Sequence, residues 1–213
     1  MSSSPEPSQS VPPTNENGHP FPYLRWLALT WLIVWIPAYW KVWGWQNFLH
    51  LCDLSLALSC AGVWFGNSLL ISSQALAAIP ADGAWCLDAG WRLFSGHHLF
   101  GGTEYLWDER FPLWVRLLSL FHLFLPFILV WACTRVGYDR HALKLQTMIT
   151  AALLGASRLL GPVSNMNYVY RDPIFHKALG PAPIHVAIIF SVMVILFWPV
   201  HLVLRKAIKK NPS

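Results

Sequence analysis

The sequence predicts an all-α fold, a polytopic transmembrane helical bundle of about six spans with the third span broken. Three observations carry that expectation. The 213 residues are 55% hydrophobic and only 12% charged, against roughly 25% charged in soluble domains. Apolar runs of helical length recur along the chain, and a bilayer core of about 30 Å needs about 20 helical residues to cross it. Segments rich in Gly, Pro and Asn separate the runs, which is turn chemistry. This composition argues against a soluble enzyme. The net charge of +5 is not read as nucleic-acid binding, because several cations sit beside apolar spans, where positive-inside topology explains them.

Residues 1–22 are rich in Ser, Pro, Asn and Glu and have no apolar stripe, so they read as a disordered tail. Residues 23–205 form the bundle, and 206–213 form a basic cytoplasmic tail. No charged segment with a cleavage site precedes the first apolar run, which predicts an uncleaved anchor. The first span is Leu24 to Trp43, with Pro37 as a kink; Trp40, Trp43 and Trp45 suit the membrane interface. The second runs from Asn47 to Phe65 and ends in a Gly66–Ser68 turn. The third, Ser68 to Phe94, is one long helix broken around Pro80, Asp82 and Gly83. Its alternative is a helical pair with a re-entrant element, tolerated only when buried in protein. A polar, Gly-rich loop covers 95–112. The fourth span is Leu113 to Cys133, interrupted by Pro126. The fifth is Leu145 to Leu160, and the sixth is Ile184 to Leu204, with Pro199 near its end.

Six spans put both termini on one side. Arg205, Lys206, Lys209 and Lys210 at the C-terminus, with Arg135, Arg140 and Lys144 in the fourth-to-fifth loop, place that side in the cytoplasm. Nearly every polar residue inside a span then falls in the outer half. His50, Cys52 and Asp53 open the second span, Asp82 and Asp88 lie in the outer half of the third, His122 lies near mid-membrane, Arg158 ends the fifth and His185 opens the sixth. Gln74 is the deepest exception. Intramembrane ionisable groups are expensive and face a bundle interior or a wet cavity. One outward-opening cavity would hold them all, together with Asn165, Asn167 and Tyr168 from the loop above. Asp53 and Arg158 are natural partners there, as a structural pair before a catalytic one.

Cys52 is the candidate nucleophile, since a thiol near an imidazole can become a thiolate. His50 is two positions away, roughly 200° round a helix, so it is not the obvious base. His122 or His185, from another helix, fits better. His122 has no polar neighbour within "LSLFHLFLPF", so its partner must come from elsewhere. Cys60 and Cys133 read as small packing residues. The four cysteines have no zinc spacing, and no metal or cofactor is expected.

The stretch "LHLCDLSL" (Leu49 to Leu56) resembles the Leu-His-Leu-Cys motif of the YwaF-like integral membrane proteins, whose relatives include a cysteine-dependent phospholipid acyltransferase. "SQALAAIP" (Ser73 to Pro80), "FHLFLPFIL" (Phe121 to Leu129), "NMNYVYRDP" (Asn165 to Pro173) and "LGPAP" (Leu179 to Pro183) are similar to further stretches of that family, in the same order. The resemblance covers roughly Leu49 to Pro183. It implies a compact helical bundle, with Cys52 as the acyl-accepting nucleophile, His122 as its base and membrane lipid as the partner.

Three functions stay open on the residues. One is a membrane-embedded acyl-transfer enzyme, with backbone N–H groups or Asn165 or Asn167 available to hold an oxyanion. A second is a binding or transport protein for an ion or small polar ligand, its charge set by Asp53, Asp88 and Arg158. A redox protein would use His122 with His50 or His185 as haem ligands, although no spacing singles this out.

Overall fold

The computed structural model describes residues 18–208, and those residues are helical with no β-strand among them. The helices are α1 (Leu24–Trp43), α2 (Leu51–Phe65), α3 (Ser68–Ser95), α4 (Leu113–Leu118), α5 (Phe121–Val136), α6 (Ala142–Leu159) and α7 (Ala182–Ala207). Helices α4 and α5 follow one another as a single rod, so six rods make the bundle. The rods Leu113–Val136 and Ala182–Ala207 are long and apolar enough to cross a membrane, by length and composition. Leu51–Phe65 is apolar but shorter. Helix α1 carries five tryptophans, Trp26, Trp31, Trp35, Trp40 and Trp43, a residue enriched at membrane–water interfaces.

The α2–α3 hairpin is the tightest connection. Gly66 ends α2 with φ 62°, a left-handed conformation that costs glycine no Cβ clash. Asn67 then starts α3, its side-chain oxygen accepting the Leu70 N–H at 2.9 Å, as an N-cap does. The two helices approach closely because Gly62 has no side chain; a Cβ there would meet the Ile71 backbone nitrogen at 3.2 Å. Ser59 and Ser55 continue this small-residue seam, and the Ser55 hydroxyl donates to the Gln74 carbonyl.

Helix α3 is the axis of the fold and packs against α2, α5, α6 and α7. Residues Ile71 to Ala78 are all buried, so this stretch is covered on every side. Surrounded by protein, it tolerates polar groups that bond to each other. The Gln74 amide donates to Ser73 Oγ and to Gln146 Oε1 on α6, and Gln146 donates to Thr150. Gln74 is thus part of a polar seam in the core, away from any cavity.

Two sequence expectations about breaks are corrected. The third rod is one continuous helix of 28 residues across Pro80, about 42 Å long, and is neither broken nor re-entrant. The break in the fourth rod lies at Ser119–Leu120, between α4 and α5, and Pro126 sits inside an unbroken α5. Proline leaves the carbonyl four residues earlier without its helical donor. Here that carbonyl belongs to His122, and the Cys86 thiol of α3 donates to it at 3.6 Å.

The expected tail over 1–22 falls largely outside the described residues, but its end is folded. The Phe21 N–H donates to His19 Nδ1, His19 Nε2–H donates to the Trp64 carbonyl, and Phe21 is buried against Trp131. Of the basic tail, Lys206 and Ala207 complete α7, and 209–213 lie outside the described residues. One end of the bundle carries the connections 44–50, 96–112 and 160–181. The opposite end carries the α2–α3 and α5–α6 turns and the last turn of α7.

Candidate functional site

The chain between α1 and α2 forms a 3-10 turn, Trp45–Leu49, and His50 is extended (φ −65°, ψ 140°) before α2 begins. Asn167 holds this junction from the 160–181 loop. Its Oδ1 accepts the Leu51 N–H at 2.9 Å, and its Nδ2 donates to the Leu49 carbonyl at 2.5 Å and to Ser157 Oγ at 2.8 Å. The clamp sets the entry angle of α2 and therefore the directions of Cys52 and Asp53 on its first turn.

Those two side chains open onto a cavity of about 390 Å³ at the end of the bundle. Its walls are Tyr39 and Trp43 of α1, Asn47 and His50 ahead of α2, Trp85 of α3 and His122 of α5. Residues Gly102, Glu104, Tyr105, Asp108 and Phe111 of the 96–112 loop complete it. Asn47 Nδ2 donates to Asp53 at 2.5 Å. Burial raises the Tyr105 phenol above its ordinary value; it stays neutral and accepts a hydrogen bond from Trp85 Nε1 at 2.9 Å.

His122 has one defined tautomer. Its Nδ1 lies 2.6 Å from the Ser119 carbonyl; a carbonyl only accepts, so Nδ1 carries the proton and the lone pair of the neutral ring is on Nε2. The break at Ser119–Leu120 presents that carbonyl. Trp85 stacks on the ring at 4.5 Å and 6°, which fixes its plane. Nε2 has no hydrogen-bond partner, and Asp82 Oδ1 lies 3.9 Å from it. Asp82 is fully buried, and neither of its oxygens has a hydrogen-bond partner.

No family model, curated protein or solved structure matches this chain.

Of the residues singled out in the sequence, His50, Cys52, Asp53 and His122 share the cavity, and the other seven do not line it. Gln74 belongs to the core seam. Asp88 is the knot of the 96–112 loop, accepting backbone N–H groups from Leu99, Phe100 and Gly101, with His98 and Thr103 side chains also bonded to it. It shapes the loop over the cavity without entering it. Arg158 does not pair with Asp53. It donates to the Val169 carbonyl at 2.8 Å and lies 3.7 Å over the Tyr170 ring. Those contacts satisfy its charge locally, and Asp53 takes Asn47 instead.

Asn165 is spent within its own loop, on the backbone of Tyr170 and Arg171. Both N–H groups of the Asn167 amide are taken by its clamp, and neither asparagine lines the cavity, so neither is placed to hold an oxyanion there. His185 accepts the Leu179 N–H on Nδ1 and donates from Nε2 to the Tyr168 carbonyl; with both nitrogens engaged it is not the base. Tyr168 has φ 61° and its hydroxyl lies against Gly102, supporting the roof from behind.

Sequence reasoning put Asp82 among the polar residues of the outer half but missed Trp85, Tyr105 and Tyr39. Asp82 and Trp85 are three residues apart on one helix face, which was a readable signal. The two tyrosines come from distant segments and carried none.

The 160–181 loop is tied by a second carboxylate, Asp172. Its burial disfavours the charge, but the Phe175 and Ile174 N–H groups donate to it at 2.8 and 2.9 Å and hold the carboxyl below its usual range. A depressed carboxyl stabilises the fold above its unfolded value of about 3.9 and loses that contribution as pH falls through the lower folded value. Protection factors of the Ile174 and Phe175 amides should thus be constant near neutrality and fall below about pH 4. The wild type is expected to lose this protection as pH falls, whereas Asp172→Asn, with no carboxyl to titrate there, should be flat over the same range; identical profiles would refute the assignment.

Proposed function

We propose that this chain is an integral membrane protein of six spans in which Cys52 and His122 carry out acyl transfer on a membrane lipid. The observation that carries the reading is the convergence of the thiol and the oriented imidazole on one cavity. The membrane part is supported by the outer surface of the bundle. Phe127 (77% exposed) on α5, Ile195 (67%) and Val203 (63%) on α7, and Leu27, Ile33 and Trp26 on α1 are exposed large apolar side chains, of the kind that marks an interaction or membrane surface when they gather in patches. The six-span reading puts both termini on the side opposite the cavity. The likeness to the YwaF-like family is an added support for Cys52 and His122 in these roles.

A second cavity of about 290 Å³ supports a lipid substrate. It is entirely apolar and lies between α1, α2 and α5, with Leu27, Trp31, Leu56, Cys60 and Phe124 on its walls. Helix α2 runs from one cavity to the other, so an ester group at Cys52 could extend its hydrocarbon chain along Leu56 and Cys60.

In the reaction, Cys52 Sγ attacks the ester carbonyl carbon while His122 Nε2 takes the thiol proton. Collapse of the tetrahedral intermediate breaks the C–O bond, and the imidazolium returns the proton to the departing alkoxide, leaving a thioester and an alcohol. An acceptor hydroxyl then attacks the thioester, giving its proton to His122, and the new ester leaves as the proton returns to Cys52. The first-turn N–H groups at Cys52 and Asp53, which a helix start leaves without intrahelical acceptors, replace the two asparagines as oxyanion donors.

Purified protein exposed to an activated acyl-lipid probe should form a hydroxylamine-sensitive adduct at Cys52. Cys52→Ala should abolish it, and His122→Gln should slow it by about 10²–10⁴-fold. Equal labelling of Cys52→Ala would end the proposal. A second reading, a binding protein without covalent chemistry, is favoured by one observation: the cavity is lined by the carboxyl groups of Asp53, Glu104 and Asp108, with no lysine or arginine on its walls among the described residues.

A further inference from the structure

We infer that the cavity is built to hold an organic ammonium group, either a free amine or the ammonium of a lipid headgroup. The inference rests on the reading of this cavity as the site, and it is independent of the covalent step at Cys52.

Five aromatic rings face the space: Tyr39, Trp43, Trp85, Tyr105 and Phe111. They are set at steep angles to each other, Tyr39 against Trp43 at 69°, Trp43 against Tyr105 at 75° and Trp43 against Phe111 at 49°. Aromatic rings gathered around a space attract a desolvated cation wherever a π face meets it. A small neutral ligand would gain nothing from the charges that accompany them. Asp53 lies at the base of the box, buried, with Asn47 as its hydrogen-bond donor and no cationic side chain joined to it. Asp108 is already neutralised by Arg110 on the exposed side, and Glu104 accepts the Gly102 N–H. Glu104 keeps its charge but is exposed, so the buried carboxylate on the walls of the box is that of Asp53.

A second observation points to a ligand on its own. Among the described residues, His122 Nε2 on the wall of the same cavity is buried without a hydrogen-bond partner, with Asp82 Oδ1 3.9 Å away. Its lone pair accepts a hydrogen bond, and an ammonium N–H or a hydroxyl on the carbon chain of an amino alcohol supplies one. An anionic ligand fits none of these features: it would meet Asp53 and Glu104 and find no guanidinium or ammonium among the lining residues.

The test uses the full chain in nanodiscs, with tryptophan fluorescence and thermal unfolding as readouts. Choline and tetramethylammonium should quench Trp43 and Trp85 emission saturably and raise the unfolding temperature. The neutral isostere 3,3-dimethylbutan-1-ol should do neither. Asp53→Asn should weaken choline binding at least tenfold. Phe111→Leu, at the half-buried rim where folding is not at stake, should weaken it severalfold, which keeps the inference testable if Asp53→Asn does not fold. Nanodiscs of phosphatidylcholine against phosphatidylglycerol separate the sources. A headgroup ligand makes choline quenching weaker in the first by competition, and a free amine binds equally in both.

Equal binding of the neutral isostere, or undiminished choline binding in both variants, would overturn the inference. Acyl labelling and choline binding are read side by side in Cys52→Ala. Lost acyl labelling with intact choline binding supports both readings. Labelling indifferent to Cys52 with intact choline binding removes acyl transfer alone. Cys52-dependent labelling without choline binding removes this inference alone.

Discussion

Replacing Asp88 with alanine should unfold the 96–107 loop and leave the helical bundle standing. The loop has no apolar core of its own. Its fold is a wrap of backbone around one carboxylate, which accepts the N–H groups of Leu99, Phe100 and Gly101 at 2.8, 2.8 and 3.0 Å. His98 Nδ1 lies 2.9 Å from the other oxygen, and the Thr103 hydroxyl donates to it as well. Each buried donor left without an acceptor costs about 1–3 kcal/mol. Water can recover part of that, so the loop should lose about 3–5 kcal/mol of local stability. Hydrogen exchange at Leu99, Phe100 and Gly101 should accelerate by two or more orders of magnitude, while amides in α3 and α5 keep their protection. Because Gly102, Glu104 and Tyr105 wall the cavity, ligand binding should fall with the loop. Unaltered exchange of the three amides would show that other contacts hold the segment.

Asn167→Ala should be the most destabilising change in the 160–181 loop, by about 3–4 kcal/mol. Two effects add. The side chain bridges Leu49, Leu51 and Ser157, so its loss strands a buried N–H at the start of α2 and a carbonyl just before it. The backbone at 167 has φ 51°, a region asparagine tolerates and alanine resists by about 1 kcal/mol. Asn167→Gly separates the terms: it relieves the backbone and should recover about 1 kcal/mol while the clamp stays lost. Thermal unfolding in detergent measures both. A glycine variant as unstable as alanine would mean that the strain is negligible, and an alanine variant as stable as the wild type would dismiss the clamp.

Helices were legible where the apolar period was long and the punctuation strong. The limits of α1 could be read directly, because "YLRWLALTWLIVWIPAYWKVWG" runs unbroken into a glycine that must adopt φ 81°. The two misplaced breaks have one cause. Proline marks a missing hydrogen bond, and a neighbour can supply the missing partner. The Cys86 thiol at the His122 carbonyl does so around Pro126, and the all-round packing of α3 holds its course through Pro80. The actual break, at Ser119–Leu120, has no Gly or Pro to announce it.

The candidate site divides in the same way. Cys52, Asp53 and His122 stood out because ionisable or reactive groups in an apolar run need a reason, and that reasoning is local. Pairing Asp53 with Arg158 failed because sequence gives the depth of a residue along a rod but not its azimuth. Arg158 is taken by the Val169 carbonyl and the Tyr170 ring.

Taken alone, the amino-acid order determined that the chain is helical, where most rods lie, and that several polar side chains gather at one end, since these follow from composition and from a period of 3.6 residues. Only the tertiary structure decided which of them meet: Cys52, Asp53, His50 and His122 around a void, with Asp88, Asn165, Asn167, Arg158 and His185 tying loops and helix ends together. The physical reason is hydrogen-bond satisfaction. Whether a buried polar group is available for chemistry depends on whether a partner from elsewhere in the chain has already claimed its donors and acceptors, and that is settled only when the helices pack.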